Sequence, residues 1–406
     1  MPLDFMGPNQ YPENAGTTSS HQRWPSLLLV WSAFFLTFCY RLLISNDSHP
    51  QIGGHLLQID DIANLLTTFY VGYVALNFFA GSLADAFGPE TILKAGLLGL
   101  GAAGYAFTIV NNVTLALLVQ FAIGGFAGLV FAPSTLIIHK LYSGGDKARA
   151  IGFFMTATSI AIMTSGALVP AMQPFLSFQA INGIYASFAL LIAVIALLLL
   201  PRIRVGMPRR ATWQPWYLAI RDRNFLLISL IGFLSLWGSW GFILILPPLF
   251  QHSVGLSVQQ VGTAISIIGA GSIIGKLVAG HLYARLSLPP SRQLAGLLWL
   301  STLCVILVLF VHGSVVFYVW AAVTGVIIFS YITPLNTLLL KNTESVGGRG
   351  PGIANAVWQL GSAASPFVAS HLYVVSQRTE TAVIAIAAGP AAGALLTHFL
   401  SHDRSK

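Results

Sequence analysis

Ala80-Gly81-Ser82-Leu83-Ala84-Asp85-Ala86-Phe87-Gly88 closes one long apolar run, and Ala279-Gly280-His281-Leu282-Tyr283-Ala284-Arg285-Leu286-Ser287 closes another, 199 positions later. Both segments begin on a small residue and glycine, carry leucine at the fourth place, and place a charge where the run meets a polar stretch. Pro133 and Pro334, each inside a later apolar run, lie 201 positions apart. Two anchors at nearly one offset point to a duplicated chain with parallel halves.

Outward from these anchors, the 406 residues are 55% hydrophobic and only 8% charged, with a mean hydropathy of +0.77. A soluble domain carries about 25% charged residues, so soluble enzymes, nucleic-acid binders, disordered chains and disulfide scaffolds are excluded. Cys39 and Cys304 sit inside apolar runs and read as small core residues. A spanning helix needs about 20 mostly apolar residues. The chain contains twelve candidates, at about 24–50, 62–84, 91–110, 113–140, 148–172 and 178–200, then 224–250, 258–285, 292–312, 314–341, 349–375 and 380–400. The expected organisation is a disordered N-terminus (1–22), a six-helix half (23–200), a basic linker (201–223), a second six-helix half (224–400) and a tail (401–406). The run that begins near Trp24 reads as a retained first helix rather than a cleaved leader.

The net charge of +8 takes its meaning from where the charges lie. With the N-terminus on the cytoplasmic side, 17 of the 20 Lys and Arg fall on that side, Arg378 falls outside, and Arg41 and Lys276 lie within spans. This split follows the positive-inside rule and predicts cytoplasmic termini. It also removes any nucleic-acid reading, because no single basic patch exists.

Gly81-Ser-Leu-Ala-Asp85-Ala-Phe-Gly88-Pro89 resembles the loop motif of the major facilitator superfamily, written G-x-L-a-D-r-x-G-r/p. Gly275-Lys276-Leu-Val-Ala-Gly280-His-Leu-Tyr-Ala-Arg285 resembles its degenerate copy in the second half, and Lys147-Ala-Arg149-Ala-Ile-Gly152 is similar to the segment opening the fifth span. The resemblance covers essentially the whole chain and implies an all-α, twelve-helix membrane transporter working by alternating access. It implies a gating role for Gly81, Asp85, Gly88, Arg149 and Arg285. Asp85 would accept hydrogen bonds from a neighbouring helix end. The usual basic residues of the motif are replaced by Ala86 and Glu90, which predicts a weaker latch.

Arg41 carries the substrate reading. A charge at mid-membrane costs at least ~2.5–3.5 kcal/mol, so it is expected to face a cavity and a partner. Cys39-Tyr40-Arg41 resembles the first span of organic-anion transporters of the same superfamily. A guanidinium offers a planar fork matched to carboxylate or phosphate. The competing reading has Arg41 at the outer interface, snorkelling to headgroups. Lys276 lies nine residues before Arg285, about 13 Å deeper in the membrane. It is either a structural group near the gate or a second anion-binding cation.

No Asp or Glu falls in a span interior; Asp47, Asp60, Asp61 and Glu380 read as external, and Asp85, Glu90, Asp146, Asp222 and Glu344 as cytoplasmic. Where proton-coupled relatives often carry Arg and Glu in span four, this chain reads Gln120-Phe-Ala-Ile-Gly124-Gly-Phe-Ala127. Uniport or anion exchange therefore fits better than carboxylate-based proton coupling. By resemblance, spans one, four, seven and ten line the cavity, so Tyr40, Tyr70, Tyr73 and Asn77 are expected near Arg41. Trp237 and Trp240 are three apart and are expected to share a face. Asn336, Asn355, Trp358 and Gln359 complete a polar and aromatic set, with helix packing as the competing reading for each. No cofactor or metal motif is present. The expectation is a monomeric, multi-pass protein of a bacterial inner (plasma) membrane that moves a small organic anion of carboxylate type. A neutral, zwitterionic or peptide-like cargo is the alternative, and a non-transporting receptor on the same fold is the reading from another class.

Overall fold

The computed structural model describes residues 20–47, 50–200, 222–253, 256–285, 288–311, 313–343 and 350–400. Nearly all of the expected N-terminal segment and of the linker, the tail, Glu344 and the Arg285 side chain lie outside the described residues.

The first half comprises α1 (Ser20–Asn46), α2 (Ile59–Phe87), α3 (Pro89–Thr108), α4 (Val113–Leu141), α5 (Gly144–Met172) and α6 (Phe178–Leu199). The second comprises α7 (Arg223–Ser253), α8 (Val258–Arg285), α9 (Pro290–Leu307), α10 (Ser314–Ile328), α11 (Ile332–Thr343), α12 (Gly350–Ser376) and α13 (Thr379–Leu396). Among the described residues, ten segments are long and apolar enough to cross a membrane, α10 and α11 counting as one. The two remaining helices, α3 and α12, pack on their neighbours: α3 on α4 and α6, α12 on α7 and α2.

Helix starts follow local chemistry. Asn112 caps α4 by accepting the Leu115 N–H at 2.8 Å, and Ser177 caps α6 through Ala180. Asp222 accepts the Phe225 N–H at the head of α7. Such caps satisfy donors that a helix start leaves open. Gly88 turns the chain between α2 and α3 at φ +89°, in the left-handed region that favours glycine. Pro89 then opens α3 without loss of a helical bond.

Three expectations are corrected. The first span ends at Asn46, short of Pro50, and a small antiparallel hairpin, β1 (Gln51–Ile52) with β2 (His55–Leu56), follows it. Gly53 and Gly54, both at positive φ, supply the two-residue turn such hairpins favour. The tenth span is two helices broken at Phe329–Tyr331. Pro334 explains the break, because its ring clashes with the carbonyl of residue 330 in a continuous helix. Glu90, expected just ahead of the third span at about 91–110, is instead buried in the first turn of α3.

Helices α1–α6 pack mainly on one another, as do α7–α13, and the groups meet along α1–α7, α2–α12 and α5–α8. The end at which α6 stops and α7 starts is called the linker end. It also holds the start of α1 and the α4–α5 corner, shown by the Lys94 Nζ–Leu200 carbonyl bond and the Trp24–Phe153 ring contact. The described hydrogen bonds and ring contacts that cross between the halves lie from mid-depth to the opposite end. They are Thr67 to the Ala363 carbonyl, Ser266 to the Met163 carbonyl, Lys276 to Ser159, and Phe38 on Trp240.

Candidate functional site: a buried guanidinium in an aromatic cage

Arg41 lies five residues before the end of α1, about 8 Å from it. Cα–Cβ bonds lean toward a helix's N-terminus. Helix α1 runs away from the linker end, so Arg41 leans back toward mid-depth. Helix α2 runs the other way, so Tyr70 and Tyr73 lean out to meet it. The three side chains converge although their backbones sit at different depths.

The result is a closed cation box. Arg41 is 1% exposed. Its Cζ lies 4.1 Å from the Tyr73 ring centre, 4.3 Å from Phe38, 5.2 Å from Tyr70 and 5.7 Å from Phe69. None of the three guanidinium nitrogens has a hydrogen-bond partner among the described residues. The Tyr70 hydroxyl is close to both the guanidinium and Ser362 of α12, yet neither hydroxyl makes an aligned bond. Arg41 therefore does not snorkel to an interface.

Magnitudes show what this geometry leaves open. Each ring contact contributes about 0.5–2 kcal/mol. Losing the partner of a buried charge costs about 3–5 kcal/mol. The rings blunt that cost but leave the N–H fork unsatisfied, in the right shape for a bidentate oxyanion.

A run of aromatic groups leads from Arg41 into the second half. Phe38 stacks on Trp240 at 5.4 Å, and Trp240 lies 5.4 Å from Phe329. The Lys276 ammonium sits 5.7 Å from the Phe329 ring and donates to Ser159 Oγ at 2.8 Å. Lys276 thus bridges the halves. Tyr331, at the α10–α11 break, bonds Ser239 of α7 at 2.6 Å.

Other candidates lie elsewhere. Tyr40 points away from Arg41, because neighbours on a helix differ by about 100° in direction. Its ring meets Tyr185, and its hydroxyl presses on Gly104 of α3. Trp237 does not share Trp240's environment; its indole donates to the Ala385 carbonyl of α13. Trp358 is buried over Gly232 of α7, within the second half. Asn336 is exposed and bonds its own helix at Ile332. Asn77 and Gln359 each bury an oxygen without a partner. Asn77 is one turn along α2 from Tyr73, on the same face.

At the linker end, Asp85 is exposed and has no hydrogen bond or ion pair among the described residues. Arg149 pairs with Asp146 at 3.3 Å on an exposed surface. Gly81 has open space where a Cβ would sit.

Phe38, Phe329, Tyr331, Ser239, Ser159 and Ser362 escape sequence reasoning. Phe38 alone carries a local signal, being three residues from Arg41 on the same face. The others are set by which helices cross.

An almost wholly helical chain with a charge-poor interior, two packed halves and one caged cation defines a polytopic membrane protein of transporter architecture. The chain belongs to the Major Facilitator Superfamily, whose model matches residues 24–366. It is 27% identical over 212 residues to the multidrug resistance protein MdtH of Photorhabdus laumondii, and 22% identical to the multidrug transporter protein MdtP of Bacillus subtilis. Those matches cover 52% and 61% of this chain and only 51% and 56% of the relatives' lengths. The lysophospholipid transporter LplT of Pectobacterium carotovorum is 23% identical, with 86% of this chain and 84% of that one covered. Among solved structures, a bacterial homologue of the human lysosomal transporter Spinster, in an inward-facing, unoccupied conformation, is similar at TM-score 0.70 and 14% identity. That likeness covers 94% of this chain and 95% of the other, and it bears on the fold alone.

Proposed function

We propose that this protein is a transporter that moves an organic anion across the membrane by alternating access, by uniport or exchange. The observation that carries the reading is the caged Arg41 guanidinium, desolvated and without a protein acceptor. A carboxylate or phosphate would satisfy its fork, with Tyr70 from one half and Ser362 from the other beside it. The anion would then touch both halves at once, which lets binding bias their relative position. Phe38, Trp240 and Phe329 offer an apolar surface for the body of the solute. The basic linker end is the cytoplasmic side in this reading.

A second reading is favoured by that aromatic run: the cargo is an amphiphile with a phosphate head. LplT, whose name carries lysophospholipid transport, is the relative that fits it.

Uptake into proteoliposomes separates the two. The panel is short carboxylates, dicarboxylates, phosphate esters, lysophospholipids, neutral sugars and amino acids, with wild type and Arg41→Ala. Saturable uptake of an anion class that Arg41→Ala abolishes supports the proposal. Equal uptake by folded Arg41→Ala overturns it, and ligand binding without flux assigns a receptor.

A further inference from the structure

A cavity lies far from Arg41, at the linker end of the first half. Its volume is about 360 Å³, and Arg23, Tyr142, Asp146 and Arg149 line it together with Trp24, Leu27, Ala150 and Phe153. Of its lining residues, Arg149 alone enters the gating expectation, and none enters the solute site at Arg41.

Its level in the membrane is readable. Arg23 opens the first spanning segment, Leu141 closes the fourth and Arg149 opens the fifth. Three span ends meet there, so the cavity sits where hydrocarbon gives way to headgroups. Its walls are sorted the same way. Arg23, Tyr142, Asp146 and Arg149 stand at the polar rim. Leu27 and Phe153, one turn further into their spans, with Trp24 against Phe153, form the apolar wall. Trp24 is 62% exposed and meets Phe153 edge to face, as aromatic residues do at a bilayer interface.

The polar rim is unsatisfied. Asp146 is held by Arg149 at 3.3 Å. Arg23 Nε and the Tyr142 hydroxyl are buried and have no hydrogen-bond partner, although Arg23 and Asp146 both lie close enough to act on Tyr142 electrostatically. Two donors without acceptors, an uncompensated positive charge and an adjoining apolar wall describe a receptor for an anionic head on an apolar body. Phosphate matches the charge-assisted donors.

We propose that this cavity binds the phosphodiester headgroup of an anionic phospholipid from the leaflet at the linker end. The phosphate sits on Arg23 and Tyr142, and the glycerol and first acyl carbons lie against Trp24 and Phe153. The site joins the start of α1 to the α4–α5 corner and is independent of the solute reading.

The test uses purified full-length protein in a neutral detergent, titrated with phosphatidylglycerol, with phosphatidylcholine of the same chains, and with glycerol 1-phosphate. Thermal midpoint and retained lipid in native mass spectra are read for wild type, Arg23→Gln and Tyr142→Phe. Phosphatidylglycerol is expected to raise the wild-type midpoint and to be retained. Arg23→Gln should weaken the apparent affinity about tenfold, the scale of one lost charged hydrogen bond. Tyr142→Phe removes a single hydroxyl, so it keeps the test sound should Arg23→Gln fold poorly, and it should weaken affinity several-fold. Wild-type affinity in Tyr142→Phe together with either wild-type affinity or misfolding in Arg23→Gln overturns the proposal. An equal response to phosphatidylcholine also overturns it. An equal shift from glycerol 1-phosphate at matched concentration overturns the lipid assignment in favour of a soluble phosphate anion.

Discussion

At the scale of single residues, the binding role proposed for Arg41 makes it a stability cost. A buried charge without a partner is commonly replaced by an apolar residue at no loss, or with a gain of about 1–4 kcal/mol. Arg41→Met, similar in length and apolar, should therefore keep or raise the thermal midpoint while the shift caused by substrate disappears. Thermal scans with and without substrate check both halves of the statement, and a large drop without substrate would assign Arg41 a structural role. Arg41→Lys keeps the charge but loses the fork, and should bind about tenfold more weakly. Arg41, Tyr70 and Tyr73 were legible in sequence because a charge in an apolar run has few uses, and because residues three apart on a helix share a face. Tyr40 and Trp237 misled for related reasons. Tyr40 is adjacent to Arg41 in sequence but about 100° away around the helix. Trp237 lies three residues from Trp240, yet Gly389 opens a seat for its indole against α13. Ser362 and Ser159 could not be read at all, because a serine carries no pattern until its helix has found a partner.

At the scale of elements, two features bear on the proposed movement of the halves. Helices α5 and α8 cross between the halves at almost backbone contact. A Cβ on Gly262 would stand 2.4 Å from the Gly166 carbonyl oxygen, and one on Gly166 would stand 2.7 Å from that of Gly262. Gly262→Val would wedge the halves apart at the end opposite the linker. It should raise labelling of a cysteine placed there by a membrane-impermeant reagent, and lower labelling near Asp85. Unchanged labelling at both places would remove α5–α8 from the gate. The second feature is the break between α10 and α11. Pro133 and Pro334 mark the repeat, yet α4 runs unbroken through Pro133 while the tenth span parts before Pro334. The pairing of the two prolines in sequence hid this divergence. In the broken span, Tyr331 is anchored on Ser239 and Phe329 on Trp240. Tyr331→Phe deletes that hydrogen bond, worth about 1 kcal/mol. A thermal midpoint lowered by a few degrees, with binding altered more than twofold, would show that the break shapes the site; a change in midpoint alone would confine it to packing.

At the scale of the whole molecule, the placement of acids limits what can drive transport. Among the described residues, every Asp and Glu lies at a helix end or beside one. Asp47 follows α1, Asp60 and Asp61 open α2, Asp85 closes it, Glu90 opens α3, Asp146 opens α5, Asp222 precedes α7 and Glu380 opens α13. The two cations at depth, Arg41 and Lys276, have no carboxylate beside them; one is caged by rings and the other is spent on Ser159. A proton carried with the solute needs a group that titrates inside the cavity in both states of the cycle, and no described carboxylate is placed to be one. Under the proposed anion transport, the Lys276–Ser159 bond would make the halves' contact at mid-depth sensitive to the cargo, because a negative group drawing Lys276 away would release one inter-half hydrogen bond. Two results should therefore appear together in proteoliposomes. Collapsing a pH gradient with a protonophore should leave the initial rate of anion uptake unchanged, and preloading with unlabelled substrate should accelerate entry of labelled substrate. Lys276→Met should keep binding at Arg41 but lose that acceleration, because its inter-half contact no longer responds to the anion. Uptake that stops with the protonophore would refute gradient independence and place a titrating group in the cycle.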